Sequence, residues 1–108
     1  MPEASYSIGT GKQKILFKCI TQDQSPIILT GNVPELGEWN LADSVSLYSN
    51  PRPNGGFEWT AQAELPLGRT LEYKFVRKTD SGFRWESGNN HRITVIPALG
   101  TLDSDFRE

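Results

Sequence analysis

Phe57-Glu58-Trp59-Thr60-Ala61-Gln62-Ala63-Glu64-Leu65 alternates without a break, with Phe57, Trp59, Ala61, Ala63 and Leu65 on one side and Glu58, Thr60, Gln62 and Glu64 on the other. A period of two is the mark of a strand with one face on a core and one in water. Pro66 and Gly68 end the run, and Leu71-Glu72-Tyr73-Lys74-Phe75-Val76 then alternates again, sending Leu71, Tyr73 and Phe75 inward and Glu72 and Lys74 outward.

The same pattern extends in both directions. Upstream, Lys14 to Ile20 puts Ile15, Phe17 and Cys19 on one face, Ile27 to Thr30 is a short β-branched run, and Val45 to Tyr48 alternates. Pro34 breaks the segment Val33 to Asn40 into a loop, and Asn50 to Gly56 is a second loop dense in turn formers. Downstream, Thr79-Asp80-Ser81-Gly82 predicts a hairpin turn into Phe83 to Glu86, and the last strand runs from His91 to Ile96, where Pro97 closes it. Seven to eight short strands with no helical periodicity predict an all-β, antiparallel, immunoglobulin-like sandwich with Greek-key connections. The domain is expected over 12–98, with a flexible N-terminal segment over 1–11 and a polar tail or linker stub over 99–108.

Length and composition limit the function. A chain of 108 residues builds one core, and a formal net charge of −2 without a basic cluster gives a phosphate backbone little to bind, so nucleic acid is not an expected partner. No apolar run reaches the length of a membrane span, and Met1 to Gly11 lacks the basic and then apolar regions of a secretory signal. Cys19 is the one cysteine and His91 the one histidine, which leaves no parts for a thiolate metal cluster or a base-and-orienter pair. His91 reads as a solvated turn histidine. Neither metal nor cofactor is expected, and a monomer is.

Three tryptophans carry more information. Trp39 lies in the polar loop Pro34 to Asn40, where a bulky ring is poorly placed to join a core, and Trp85 stands between Arg84 and Glu86 beside the turn Ser87 to Asn90. Trp59 shares parity with core positions, and only its place at a strand start beside the long loop keeps it a candidate. Exposed indoles beside Lys, Glu and Asn suit sugars, whose C–H faces lie flat on an aromatic ring while their hydroxyls reach polar groups.

These residues resemble the family 20 carbohydrate-binding modules, the starch-binding domains attached to glucoamylases and cyclodextrin glucanotransferases. Thr30 to Trp39 is similar to the family's opening motif, Leu71 to Val76 to its central strand, and Arg84 to His91 to its late turn. The resemblance implies a non-catalytic module that binds starch, glycogen, maltooligosaccharides or cyclodextrin and tethers a catalytic domain in the same parent chain. It implies a first site in which Trp39 and Trp85 stack on glucose and Lys74, Glu86 and Asn90 bond its hydroxyls. A second site implied around Trp59 lacks two expected tyrosines, since Asp23 and Arg52 stand at their places, and leaves Tyr48 and Asn50 as substitutes.

Two other readings stay open on the sequence. A regulatory or protein-interaction sandwich that has lost sugar binding would use Trp39 and Trp85 as anchors, although it has no need of Lys74, Glu86 and Asn90. A small glycosidase would need a carboxylate pair such as Glu72 with Glu86.

Overall fold

The computed structural model describes residues 11–108, so all but Gly11 of the segment expected to be flexible lies outside the described residues. Nine strands form in chain order: β1 Lys12–Thr21, β2 Ile27–Gly31, β3 Val45–Ser46, β4 Tyr48–Pro51, β5 Phe57–Pro66, β6 Thr70–Thr79, β7 Gly82–Trp85, β8 His91–Thr94 and β9 Thr101–Asp105. They make two sheets, one in the order β4-β5-β1-β9 and one in the order β3-β2-β6-β7 with β8 also on β6. The all-β sandwich expected from the alternation is the fold that forms.

The alternating faces close on one core. Ile15, Phe17 and Cys19 of β1, Trp59 and Leu65 of β5, Ile27 and Leu29 of β2, and Leu71, Tyr73 and Phe75 of β6 are all buried. Phe17 meets Tyr73 edge-on at 5.3 Å between ring centroids, which joins the two sheets at the centre. The same burial pushes the Cys19 thiol up to about 12, so it stays protonated.

Two expectations change here. Val45 to Tyr48 is not one strand. Val45–Ser46 pairs with β2, the chain crosses over at buried Leu47, and Tyr48–Pro51 pairs with β5 in the other sheet. The segment 99–108 is not a free tail. β9 pairs with β1 in parallel from Leu16↔Thr101 to Ile20↔Asp105, and Phe106 is buried in the core. The apolar parity of Leu102 and Phe106 was masked by four polar neighbours, and the strand needs only one apolar face because its other face is solvated.

β7 and β8 share one edge of β6 end to end. β7 covers Val76 to Thr79 and β8 covers Thr70 to Tyr73, so the turn Glu86 to Asn90 fills the gap opposite Lys74 and Phe75.

If β9 and its follow-on residue belong to the core, Phe106→Ala lowers the unfolding free energy by about 3 kcal/mol. Ile96→Ala, at a side chain 55% exposed, shifts it by less than about 0.5 kcal/mol in the same urea denaturation.

Candidate functional site

The interruption between β7 and β8 begins with one carboxylate. Phe75 donates its amide to Glu86 Oε1 at 2.9 Å, and Glu86 donates its own amide to the Phe75 carbonyl at 3.0 Å. In an unbroken ladder the Glu86 carbonyl would accept the Phe75 amide. Here that carbonyl has turned away and accepts from Lys74 Nζ at 2.8 Å, and the side chain takes its place. Lys74 Nζ also donates to the Gly88 carbonyl at 2.5 Å, so two of its three protons hold the turn and one is left for the open side.

The Glu86 side chain has no solvent exposure, and four donors converge on it. Besides the Phe75 amide, His91 Nε2 lies 2.7 Å from Oε1, and Arg107 approaches Oε2 with Nε at 3.2 Å and its backbone amide at 3.4 Å. Burial alone would raise the Glu86 pKa, but the bonds from His91, the Phe75 amide and Arg107 outweigh it and hold the pKa below the ordinary value. An ionised carboxylate only accepts, so the proton of this contact sits on His91 Nε2. The histidine ring stacks on Tyr73 at 4.9 Å and meets Phe75 edge-on at 5.8 Å, which replaces the expected solvated turn histidine with a half-buried structural one.

Trp39 arrives from the other side, on the segment Pro34–Trp39 that follows β2. Leu36 is buried beneath it, and Lys12 Nζ ties Glu35 to β1 at 2.8 Å. Gly37, Glu38 and Trp39 all have positive φ, at 83°, 49° and 68°. For the two non-glycine residues this costs about 1–2 kcal/mol each, a strain that persists only where surrounding contacts enforce it. Ser44 Oγ supplies such contacts, at 2.8 Å from Asn40 O and Thr30 Oγ1 and 3.0 Å from Leu36 O. A Cβ on Gly37 would lie 2.4 Å from that same oxygen, so the position excludes any side chain.

The two approaches meet. The Trp39 and Trp85 rings stand 6.4 Å apart between centroids with their planes tilted by 38°. Together with Lys74 and Asn90 they line a shallow groove of about 370 Å³. Trp85 is 40% exposed and Trp39 is half-buried. Asn90 Nδ2 donates to Glu72 Oε1 at 3.1 Å, which leaves its amide oxygen free to accept. Four of the five residues expected at the first site are therefore neighbours on one surface.

Glu86 is the exception: its carboxylate is buried behind the turn and does not line the groove. The same burial removes it from a glycosidase pair with Glu72, because a carboxylate with four donors and no solvent exposure cannot face a substrate. Nor do Trp59, Tyr48 and Asn50 form a second site together. Trp59 is 5% exposed and donates Nε1–H to Thr21 Oγ1 at 2.8 Å. The β4–β5 register sets Tyr48 opposite Thr60 and Asn50 opposite Glu58, on the face away from Trp59. The residue that sequence reading missed is Arg107, hidden in a segment read as a tail. A larger groove of about 670 Å³, lined by Lys12, Lys14, Glu35, Gln62 and Glu64 among others, has no aromatic ring and offers no stacking surface. Among the described residues no cluster of three or more His, Cys, Asp or Glu could hold a metal ion.

Fold and site together define a β-sandwich binding module with an open, paired-indole surface. The chain belongs to the starch-binding domain family, whose sequence profile it matches over residues 12–103; modules of this family bind starch-type α-glucans and are not themselves catalytic. It is 40% identical over 103 residues to a cyclomaltodextrin glucanotransferase of Niallia circulans, covering 90% of this chain and 14% of the relative. Against glucoamylase-1 of Arthroderma benhamiae it is 32% identical over 99 residues, covering 90% of this chain and 16% of the relative. Among solved structures, the γ-cyclodextrin glucanotransferase of alkalophilic Bacillus clarkii superposes with a TM-score of 0.75 at 28% identity, covering 90% of this chain and 15% of that one. The Hormoconis resinae glucoamylase gives 0.76 at 25% identity, with 90% and 18% covered.

The buried carboxylate gives the fold an acid limb. Its folded pKa lies below the ordinary glutamate value of about 4.3, so its stabilisation is complete above that pH and is lost as pH falls through the depressed value. Glu86→Gln is expected to destabilise the protein at pH 7 by about 2–3 kcal/mol, because Arg107 loses its counter-charge and one of the two oxygens that accept from His91, Arg107 and the Phe75 amide becomes a donor. Urea denaturation from pH 7 to 3 should show a shallower acid decline in the variant than in the wild type.

Proposed function

We propose that this module binds α-glucan chains of starch or glycogen, and their maltooligosaccharide and cyclodextrin fragments, by stacking successive glucose units on Trp39 and Trp85. The single observation that carries this reading is the indole pair, tilted by 38° at 6.4 Å on one groove with Lys74 and Asn90. An α-1,4-linked chain is helical and inclines each pyranose to the next, so two tilted planes suit it, whereas a flat β-1,4 ribbon calls for coplanar rings. The free proton of Lys74 and the free amide oxygen of Asn90 then set the register through hydroxyls.

Each stack removes roughly 50 Å² of apolar surface and contributes about 1 to 1.5 kcal/mol. Association costs offset much of this, so stacking alone supports only weak binding and the polar contacts must add to it. Weak sites work by tethering, and the curated relatives, of which this chain spans 14% and 16%, are enzymes whose names specify cyclodextrin and glucan chemistry. We accordingly read the module as a tether that holds an attached amylolytic domain against insoluble glucan. Tyr48, 78% exposed beside Thr60 and Gln62 on the other sheet, is the one ring of the implied second site that stays accessible for an accessory contact. With Trp59 buried, one ring supplies about half of the stacking area, and that contact is weaker.

Calorimetry with β-cyclodextrin and affinity electrophoresis on amylose test the reading. Trp39→Ala with Trp85→Ala should abolish binding at the first site, Lys74→Ala should weaken it, and Tyr48→Ala should affect only retention on long chains. Unchanged binding in the double tryptophan variant would refute stacking on this indole pair, whereas wild-type protein that binds neither ligand would return the module to the class of protein-interaction sandwiches.

A further inference from the structure

The turn that carries the groove is gripped from two sides by two cations. From the open side, Lys74 takes the carbonyls of Glu86 and Gly88. From behind, Arg107 donates Nη2–H to the Asn89 carbonyl at 2.7 Å and Nε–H to Glu86 Oε2 at 3.2 Å, and its own carbonyl accepts from the Ser87 amide at 2.9 Å. Gly88 has a φ of 82°, and a Cβ there would lie 3.2 Å from Arg107 Nη1, so the guanidinium packs directly under the turn. Residues 86 to 89 thus each bond to Lys74 or Arg107, while Trp85 and Asn90 sit at the two ends of the span they fix.

Arg107 does not line the groove. It lies four residues beyond the span 12–103 matched by the family profile. Its own place is secured by its neighbours: Phe106 is in the core with the Arg77 guanidinium 4.5 Å over its ring, and Glu108 pairs with Arg77 through both carboxylate oxygens at 3.1 and 2.6 Å. Arg84, next to Trp85, donates to the Glu108 carbonyl at 2.9 Å. The segment Phe106 to Glu108 therefore touches the strand leading into Trp85 and the turn leading out of it.

We propose that Arg107 is a positioning residue for the glucan site, and that the segment 106–108 works as a back-clamp fixing the Trp85 ring and Asn90 relative to Trp39. The inference rests on the glucan reading above. A planar fork is what the geometry needs, since Nε and Nη2 serve two acceptors held in fixed relation, and a lysine serves one of them at a time.

The test separates positioning from general stability. Two indoles this close couple their excited states, so the far-ultraviolet circular dichroism of the Trp39–Trp85 pair reports their mutual angle. Arg107→Gln and Arg107→Lys are compared with wild type at a temperature well below each unfolding midpoint, by calorimetry with β-cyclodextrin and by that exciton band. Arg107→Gln is expected to weaken binding roughly tenfold and to alter the band, with Arg107→Lys in between. A purely structural role lowers the midpoint and leaves both readouts of the folded protein unchanged, which would overturn the proposal. Should Arg107→Gln fail to fold, Arg107→Lys decides: wild-type affinity with a wild-type band overturns it, and a loss of both supports it. Wild-type protein that ignores β-cyclodextrin refutes the glucan reading instead, while the exciton band still reports whether the clamp exists.

Discussion

A single buried carboxylate breaks the edge of a sheet and thereby makes room for a site. Glu86 accepts the Phe75 amide that a strand carbonyl would otherwise take, so β6 loses no hydrogen bond while its partner strand is divided into β7 and β8. An open gap at that point would strand a buried amide at a cost of about 1–3 kcal/mol. The substitution allows the chain to leave the sheet for five residues and rejoin it. Everything the groove needs from this side follows from that departure: Trp85 at its start, Asn90 at its end and two outward carbonyls for Lys74. The carboxylate is tolerated inside because its charge is met by Arg107 and by a protonated nitrogen of His91.

Trp39 is placed by a different means. Its loop has no ladder to follow, and three successive left-handed residues bend it back over the sheet. Strain of that kind is retained only where it is over-determined, and the buried Leu36, the Lys12–Glu35 pair and the Ser44 hydroxyl together supply the constraint. One indole is thus positioned by electrostatics in a broken ladder and the other by packing under a strained turn. The two devices share no residues, so each can be perturbed without melting the other.

The sequence disclosed whatever depends on parity. β1, β5 and β6 alternate cleanly because each has one face on the core, and the outward direction of Lys74 followed from the same rule, as did the burial of Trp59. Resemblance brought Trp39, Lys74, Trp85 and Asn90 together ahead of the structure. What remained hidden depends on pairing between distant segments. Glu86 looks like any surface glutamate until His91 and Arg107 are seen to surround it. β9 is equally silent, since Asp103 and Asp105 on its outer face give the stretch the composition of a linker, and only the spacing of Leu102 and Phe106 betrays a strand. Parallel pairing of β9 with β1 spans the whole chain and leaves no local turn signal to announce it.

The weak stacking proposed for this groove makes so much scaffolding intelligible. Two rings that together offer about 2–3 kcal/mol of apolar transfer cannot also meet the entropy of freezing a mobile turn and a mobile loop at every encounter. Ordering even a few side chains costs about 0.5–1.5 kcal/mol apiece, which would consume most of the gain. Binding by so small a surface requires that the ordering be done once, at folding, and drawn from the core and from ion pairs remote from the ligand. On that argument the polar network behind the groove and the strain beneath Trp39 are the conditions under which the proposed pair of rings could hold a sugar chain at all.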